Sequence, residues 1–265
     1  MRYGYCMNLG FIKNEDYATS LFNAVATAGF DYVELPLSGI SELTPEEFSQ
    51  LEKALKTIPC RACNLFFPGT LKIVGEGMDV AGIKSYLAKM LPLAKNLGVE
   101  TLVFGNGGAR KVPEGAKHED IWQNLRTVVE IMDEYAQNHN ITIAVEPLNT
   151  METNIINSYG EAAKLTTGLK NVATMVDSYH AAMEKQNFDD VFASPAQLKH
   201  LHTAYPTGRK VPSPKDDKTE YAEFVQMVKQ LNFTDKISIE GGLHGEIPLE
   251  EEIAQSLTFL KGLFE

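Results

Sequence analysis

Cysteine is scarce in this chain, with three in 265 residues. An odd, low count excludes a disulfide framework and favours a reducing compartment, so a cytoplasmic location is expected. Cys60 and Cys63 form a lone CxxC without a second pair. Three apart on a strand, they are expected on opposite faces, as core residues rather than a zinc or redox site. Basic residues are few as well. The 24 Lys and Arg stand against 35 Asp and Glu, a net charge of −11, and the sequence pI is near 5.1. That balance argues against nucleic acid or an anionic membrane as partner, because a phosphate surface would be repelled. No apolar run is long enough to span a bilayer, and no secretory signal pattern opens the chain. Tryptophan occurs once, as Trp122, and is read as a packing residue. A GxGxxG after the first strand is also missing, which counts against a dinucleotide-binding open sheet.

Strand and helix patterns alternate from end to end. Strands are expected at residues 3–9, 31–35, 60–67, 101–104, 141–145, 172–176, 198–203 and 236–239. Helices are expected at about 14–28, 45–55, 80–97, 119–139, 160–169, 181–193, 221–231 and 248–264. Thr44-Pro45-Glu46-Glu47 has the form of a capping box with proline in the first helical position. Ile121, Leu125, Val128, Met132 and Tyr135 recur at helical spacing and mark a buried face. Eight such pairs at intervals of about thirty residues predict an α/β fold. The prediction is one (β/α)₈ TIM barrel, a single domain over residues 1–265.

The stretch Ile141 to Asn154 organises the reading. Its β-branched residues form a strand that stops at Glu146, because Pro147 cannot donate to a ladder and restricts the residue before it. A carboxylate therefore ends an apolar strand. Asp177, His202 and Glu240 lie at the tips of the next three strands. In a barrel, catalytic groups project from those C-terminal ends. Neighbouring parallel strands bring the four to one point. Three crowded carboxylates without a cation would repel one another and be pushed toward protonation. One divalent metal ion removes the conflict. An oxygen-rich set suits Mn²⁺ first, with Mg²⁺ and Co²⁺ close behind and Zn²⁺ still compatible.

The motifs Glu146-Pro-Leu-Asn with Glu152-Thr-Asn, Asp177-Ser-Tyr-His180, His200-Leu-His202-Thr and Ile239-Glu240-Gly resemble the xylose isomerase-like sugar epimerases. Within that family they are most similar to the ketose 3-epimerases of the D-tagatose/D-psicose (allulose) type. The resemblance implies that Glu146, Asp177, His202 and Glu240 bind the metal. It implies that Glu146 and Glu240 form the catalytic acid/base pair, and that Glu152, His180 and Arg209 contact the substrate. A sugar or sugar phosphate is the implied partner, and a homo-oligomer is left open. The chain departs from the group in two places. Its first strand, Tyr3-Gly4-Tyr5-Cys6-Met7, is less aromatic, and Gly107-Gly108-Ala109-Arg110 carries no tryptophan. The resemblance therefore carries the metal half of the site and not the sugar preference.

The chemistry follows from the residue types. Epimerising a carbon beside a ketone requires removal of a weakly acidic C–H proton. A metal on the ketone oxygen stabilises the enediolate while one carboxylate takes a proton and a second returns one to the other face. An inosose-type dehydratase on the same fold is the alternative. An endonuclease IV-like nuclease ranks lower, since that family adds histidine ligands where this chain has Asn64 and Asn106. His200 is read as supporting the site or packing inside. Glu34 is read as a substrate contact or a polar rim residue, and Arg110 as a phosphate contact or, the commoner case, a solvated loop charge.

Overall fold

A computed structural model describes residues 1–265. Eight parallel strands close into a barrel in sequence order. They are β1 (Arg2–Cys6), β2 (Tyr32–Pro36), β3 (Cys60–Asn64), β4 (Thr101–Phe104), β5 (Thr142–Val145), β6 (Val172–Asp177), β7 (Leu198–Thr203) and β8 (Lys236–Ile239). The ring closes where β1 pairs with β8, Arg2 opposite Lys236 and Tyr5 opposite Ile239. The main outer helices are α1 (Asp16–Ala28), α2 (Pro45–Ala54), α3 (Val80–Asn96), α4 (His118–Gln137), α5 (Tyr159–Thr166), α6 (Ser178–Met183), α7 (Ala222–Gln230) and α8 (Leu249–Phe264). No helix is long and apolar enough to cross a membrane.

Local sequence explains the element ends. The Thr44 hydroxyl accepts from the Glu47 N–H, and the Glu47 carboxylate accepts from the Thr44 N–H, so the α2 capping box forms as predicted. On α4, Ile121, Leu125, Val128 and Met132 are fully buried against the barrel. Trp122 packs beside them as a partly buried residue.

Three expectations change. β1 stops at Cys6, because the Asn8 side chain accepts from the Gly10 N–H and starts a turn of 3₁₀ helix. β3 stops at Asn64, because Leu65 takes a left-handed backbone with φ 43°. The single helix expected at 181–193 is two short helices, α6 and Asp189–Ala193.

The CxxC reading also changes. Val33 pairs with Cys60 but Glu34 pairs with Ala62, so Arg61 is an extra residue in β3. A bulge shifts the side-chain alternation by one. Cys60 and Cys63 therefore share a side, with sulfurs 3.8 Å apart and both buried.

The barrel interior is not all aliphatic. Gly4 has no Cβ, and one placed there would overlap the Tyr32 ring. The ring takes that space, and its hydroxyl lies 2.8 Å from Ser238 Oγ on the far side of β1. Ser238 Oγ in turn donates to Glu34 Oε2 at 2.6 Å. This buried polar chain leads up to the C-terminal mouth.

Candidate metal centre

Asp177 and His202 are register partners at the tips of β6 and β7. Glu146 and Glu240 each follow the last residue of their strands, β5 and β8. Their N–H groups still donate to neighbouring strand carbonyls, Glu146 to Phe104 O at 3.2 Å and Glu240 to Thr203 O at 3.0 Å. One donor atom from each of Glu146, Asp177, His202 and Glu240 lies within 4.8 Å of all the others. Gly105 makes room for this, since a Cβ there would overlap Glu146 Oε2.

The centre of the cluster is His202. Its Nε2 lies 2.9 Å from Glu34 Oε1, and Glu34 has no exposure at all. A carboxylate only accepts, so Nε2 carries the ring proton. Nδ1 then faces Glu146 Oε1 at 3.2 Å and Glu240 Oε2 at 3.3 Å. Neither approach is a hydrogen bond, and Nδ1, Glu146 Oε1 and Asp177 Oδ2 are all buried without partners. Bringing a nitrogen lone pair against two carboxylate oxygens is repulsive. A second ring proton relieves only the contacts it points at. A divalent cation satisfies every donor together. The residues therefore fit a metal ion, and the histidine backed by a carboxylate is a common way to hold one.

Burial and these contacts act on the titrating groups in opposite directions. Burial raises the pKa of Glu34, but His202 and His200 outweigh it and hold the carboxyl well below the usual range. Burial alone would lower His202, yet the Glu34 carboxylate prevails and lifts the ring well above its ordinary value. Burial pushes Glu146 up. Glu240 meets the same burial penalty but is held down by His202 and Arg209.

The expected substrate contacts ring this cluster. Residues 205–210 form a tight turn closed by the Tyr205–Lys210 bridge. Arg209 sits in it with a left-handed backbone, φ 49°. Its guanidinium donates to Glu240 Oε2 at 2.8 Å and Glu152 Oε1 at 3.3 Å, and lies 4.7 Å from the centre of the Tyr179 ring. Glu152 keeps 40% of its side chain exposed. His180 is buried on α6, with Nε2 3.6 Å from Asp177 Oδ2. A cavity of about 320 Å³ opens above, lined by Met7, Asn64, Leu65, Arg209 and Glu240 among others. That volume suits a small ligand. A second cavity of about 350 Å³, beneath Pro212–Asp216, contains none of the cluster.

Sequence reasoning misplaced two residues. Glu34 is not on the rim. It lies beneath the cluster and accepts from His200 Nε2, His202 Nε2 and Ser238 Oγ. The apolar neighbours Val33 and Leu35 were the available signal. Arg110 is not solvated but wholly buried. It donates to the carbonyls of Phe104 and Glu146 and so ties the ends of β4 and β5 together. Burial lowers its pKa to about 10.

A model of the xylose isomerase-like TIM barrel family matches residues 22–263. A D-psicose 3-epimerase of Agrobacterium fabrum is 23% identical over 241 residues, 82% of this chain and 76% of that one. The crystal structure of a D-psicose 3-epimerase with D-tagatose from Clostridium cellulolyticum H10 covers 100% of both chains, with TM-score 0.81 and 17% identity. A 3-keto-D-glucoside 4-epimerase from E. coli covers 99% of both chains, with TM-score 0.75 and 18% identity.

Proposed function

The chain belongs to the xylose isomerase-like TIM barrel family, and from that premise we propose that it is a divalent-metal-dependent sugar epimerase. The observation that carries this reading is the convergence of Glu146, Asp177, His202 and Glu240, three of whose facing atoms are buried and unpartnered. The named relatives act on ketoses or a keto-sugar, and all are epimerases. An oxygen-rich set favours Mn²⁺ as the ion.

The ion would be held by Glu146, Asp177, His202 and Glu240, and would supply Lewis-acid polarisation at a substrate oxygen. The remaining work falls to the chain. Glu146 and Glu240 rise from strands three apart on the barrel, so they flank a sugar lying over the mouth. One removes the proton beside the ketone, and the other delivers a proton to the opposite face. Arg209 and His180 bind substrate oxygens, and Glu152 holds the Arg209 guanidinium in place.

The substrate class is a free sugar rather than a sugar phosphate. Arg209 is the only cation lining the mouth cavity, and it is already shared between Glu240 and Glu152. Lys210 is turned away and donates to Leu243 O. A phosphate dianion would meet Glu146, Asp177, Glu152 and Glu240 with no uncommitted cation to bind. The test is a panel of free ketohexoses, ketopentoses and their phosphates, assayed after chelation and again with Mn²⁺ added. Metal-dependent interconversion of free ketoses is expected. Turnover confined to phosphorylated sugars, or products that have lost water, would overturn the assignment.

Arg209 also yields a prediction. It lies on an exposed turn, and its ion pairs are about a third exposed, so they add little to stability. Arg209→Ala is expected to leave the melting temperature within about 2 °C, since surface changes typically stay within about 0.5 kcal/mol. It is expected to lower kcat/KM by about 10²-fold, the size of a charged hydrogen-bond contact of about 1.5–3 kcal/mol. A large drop in melting temperature with normal turnover per folded molecule would make it a structural residue.

A further inference from the structure

His180 Nδ1 has two donors aimed at it, both from one residue. The Asn149 N–H donates to it at 3.2 Å, and Asn149 Nδ2 lies 2.9 Å away. The amide fits only one way round. Its Oδ1 accepts from the N–H groups of Met151 at 3.0 Å and Glu152 at 3.2 Å, so the NH₂ must face the ring. Turning the ring over would place both donors against a C–H. Nδ1 is therefore an acceptor, and the ring proton belongs on Nε2. That nitrogen is buried, lacks a hydrogen-bond partner, and stands 3.6 Å from Asp177 Oδ2 beside the cluster. Asn149 and His180 are each at most 2% exposed, so water does not blur the assignment.

We propose that Asn149 is a positioning residue that locks His180 as its Nε2–H tautomer, so that the ring presents a hydrogen-bond donor to a substrate oxygen. This rests on the epimerase reading for the identity of that oxygen. Both histidines of the site then carry the proton on Nε2 but turn opposite nitrogens toward it. Glu34 keeps the His202 proton on Nε2 and leaves Nδ1 free for a cation. Asn149 occupies Nδ1 of His180 and leaves an N–H free for the substrate. A donor fixed in advance toward developing negative charge contributes to rate without reorganising.

Asn149→Asp isolates the effect. The aspartate keeps an oxygen for the Met151 and Glu152 N–H groups, so the turn survives, but its other oxygen now accepts from His180. The Asn149 N–H still points at Nδ1, but a hydrogen bond to a charged oxygen is about twice as strong as a neutral one, so the ring proton should move to Nδ1. Long-range ¹H–¹⁵N correlation spectra of the Mg²⁺-loaded protein, at alkaline pH, read the tautomer directly. Wild type is expected as Nε2–H and Asn149→Asp as Nδ1–H. Turnover of a free ketose is expected to fall about 10²–10³-fold, as for loss of one oxyanion donor, with Mn²⁺ affinity within about threefold. A wild-type Nδ1–H tautomer would overturn the proposal, even if the variant did not fold. So would a tautomer change that left turnover intact. A wild-type protein that turned over no ketose would sink the epimerase reading instead, and the spectra would still decide whether Asn149 sets the tautomer.

Discussion

Glu146→Gln and Glu240→Gln are each expected to lower turnover by about 10²–10⁴-fold, the usual contribution of a positioned acid or base. The amide matches the carboxylate in size and keeps one oxygen for a neighbour, so the loss reports on proton transfer more than on packing. Both residues also face His202 Nδ1, and metal occupancy must be measured on every sample. A variant with full metal and full rate would remove that residue from the proton-transfer step. Isotopes sharpen the test. In D₂O, a two-carboxylate epimerase places solvent deuterium at the inverted carbon. Product that keeps its original hydrogen there would point to internal hydride transfer, and the two glutamates would lose their assignment as base and acid. A variant lacking one carboxylate should in addition lose exchange with solvent in one substrate direction before the other, because each glutamate serves one face.

The barrel and its cluster were legible because both are written in local chemistry. Glu146 follows a run rich in β-branched residues, Ile141, Thr142, Ile143 and Val145, and precedes Pro147, so its place at a strand tip needs no tertiary information. Asp177, His202 and Glu240 lie at the C-terminal ends of the next three strands, and the barrel order brings the tips together. What stayed illegible depends on contacts across the barrel. Glu34 meets His200 and His202 from 166 and 168 residues away, and nothing near Glu34 in the chain announces them. Arg110 follows glycines that suggest an open loop, yet Gly107–Arg110 is a helical turn that buries the side chain under two strand ends. Cys60 and Cys63 misled because one extra residue, Arg61, breaks the two-residue alternation on which the facing argument relies. Asn149 lay in plain view within Glu146-Pro-Leu-Asn, but its effect on His180 is a matter of hydrogen positions, which spacing does not reveal.

Glu34→Gln is expected to weaken Mn²⁺ binding by about 10–100-fold, the usual cost of removing a carboxylate that backs a metal-binding histidine. The carboxylate accepts from His202, His200 and Ser238 at once. An amide has one acceptor oxygen and must turn its NH₂ toward one side. Facing His202, the NH₂ drives the ring proton to Nδ1 and removes the lone pair a cation needs. Facing His200 and Ser238, it keeps the His202 contact but leaves no negative charge behind the ring. Ser238→Ala is the control for packing, since it removes one donor to Oε2 and leaves the Oε1–His202 contact; its affinity should change by less than about threefold. Protons give an independent readout. Without metal, the Glu34 carboxylate overcomes burial and raises the proton affinity of the His202 ring, so a cation at Nδ1 competes with a proton. Binding should therefore weaken as pH falls and release protons. Glu34→Gln lowers the proton affinity of that ring and should release fewer. Calorimetry in two buffers of different ionisation enthalpy measures the difference. Equal affinity and equal proton release in wild type and Glu34→Gln would show that the buried carboxylate does not govern His202, and that the cluster is held by packing alone.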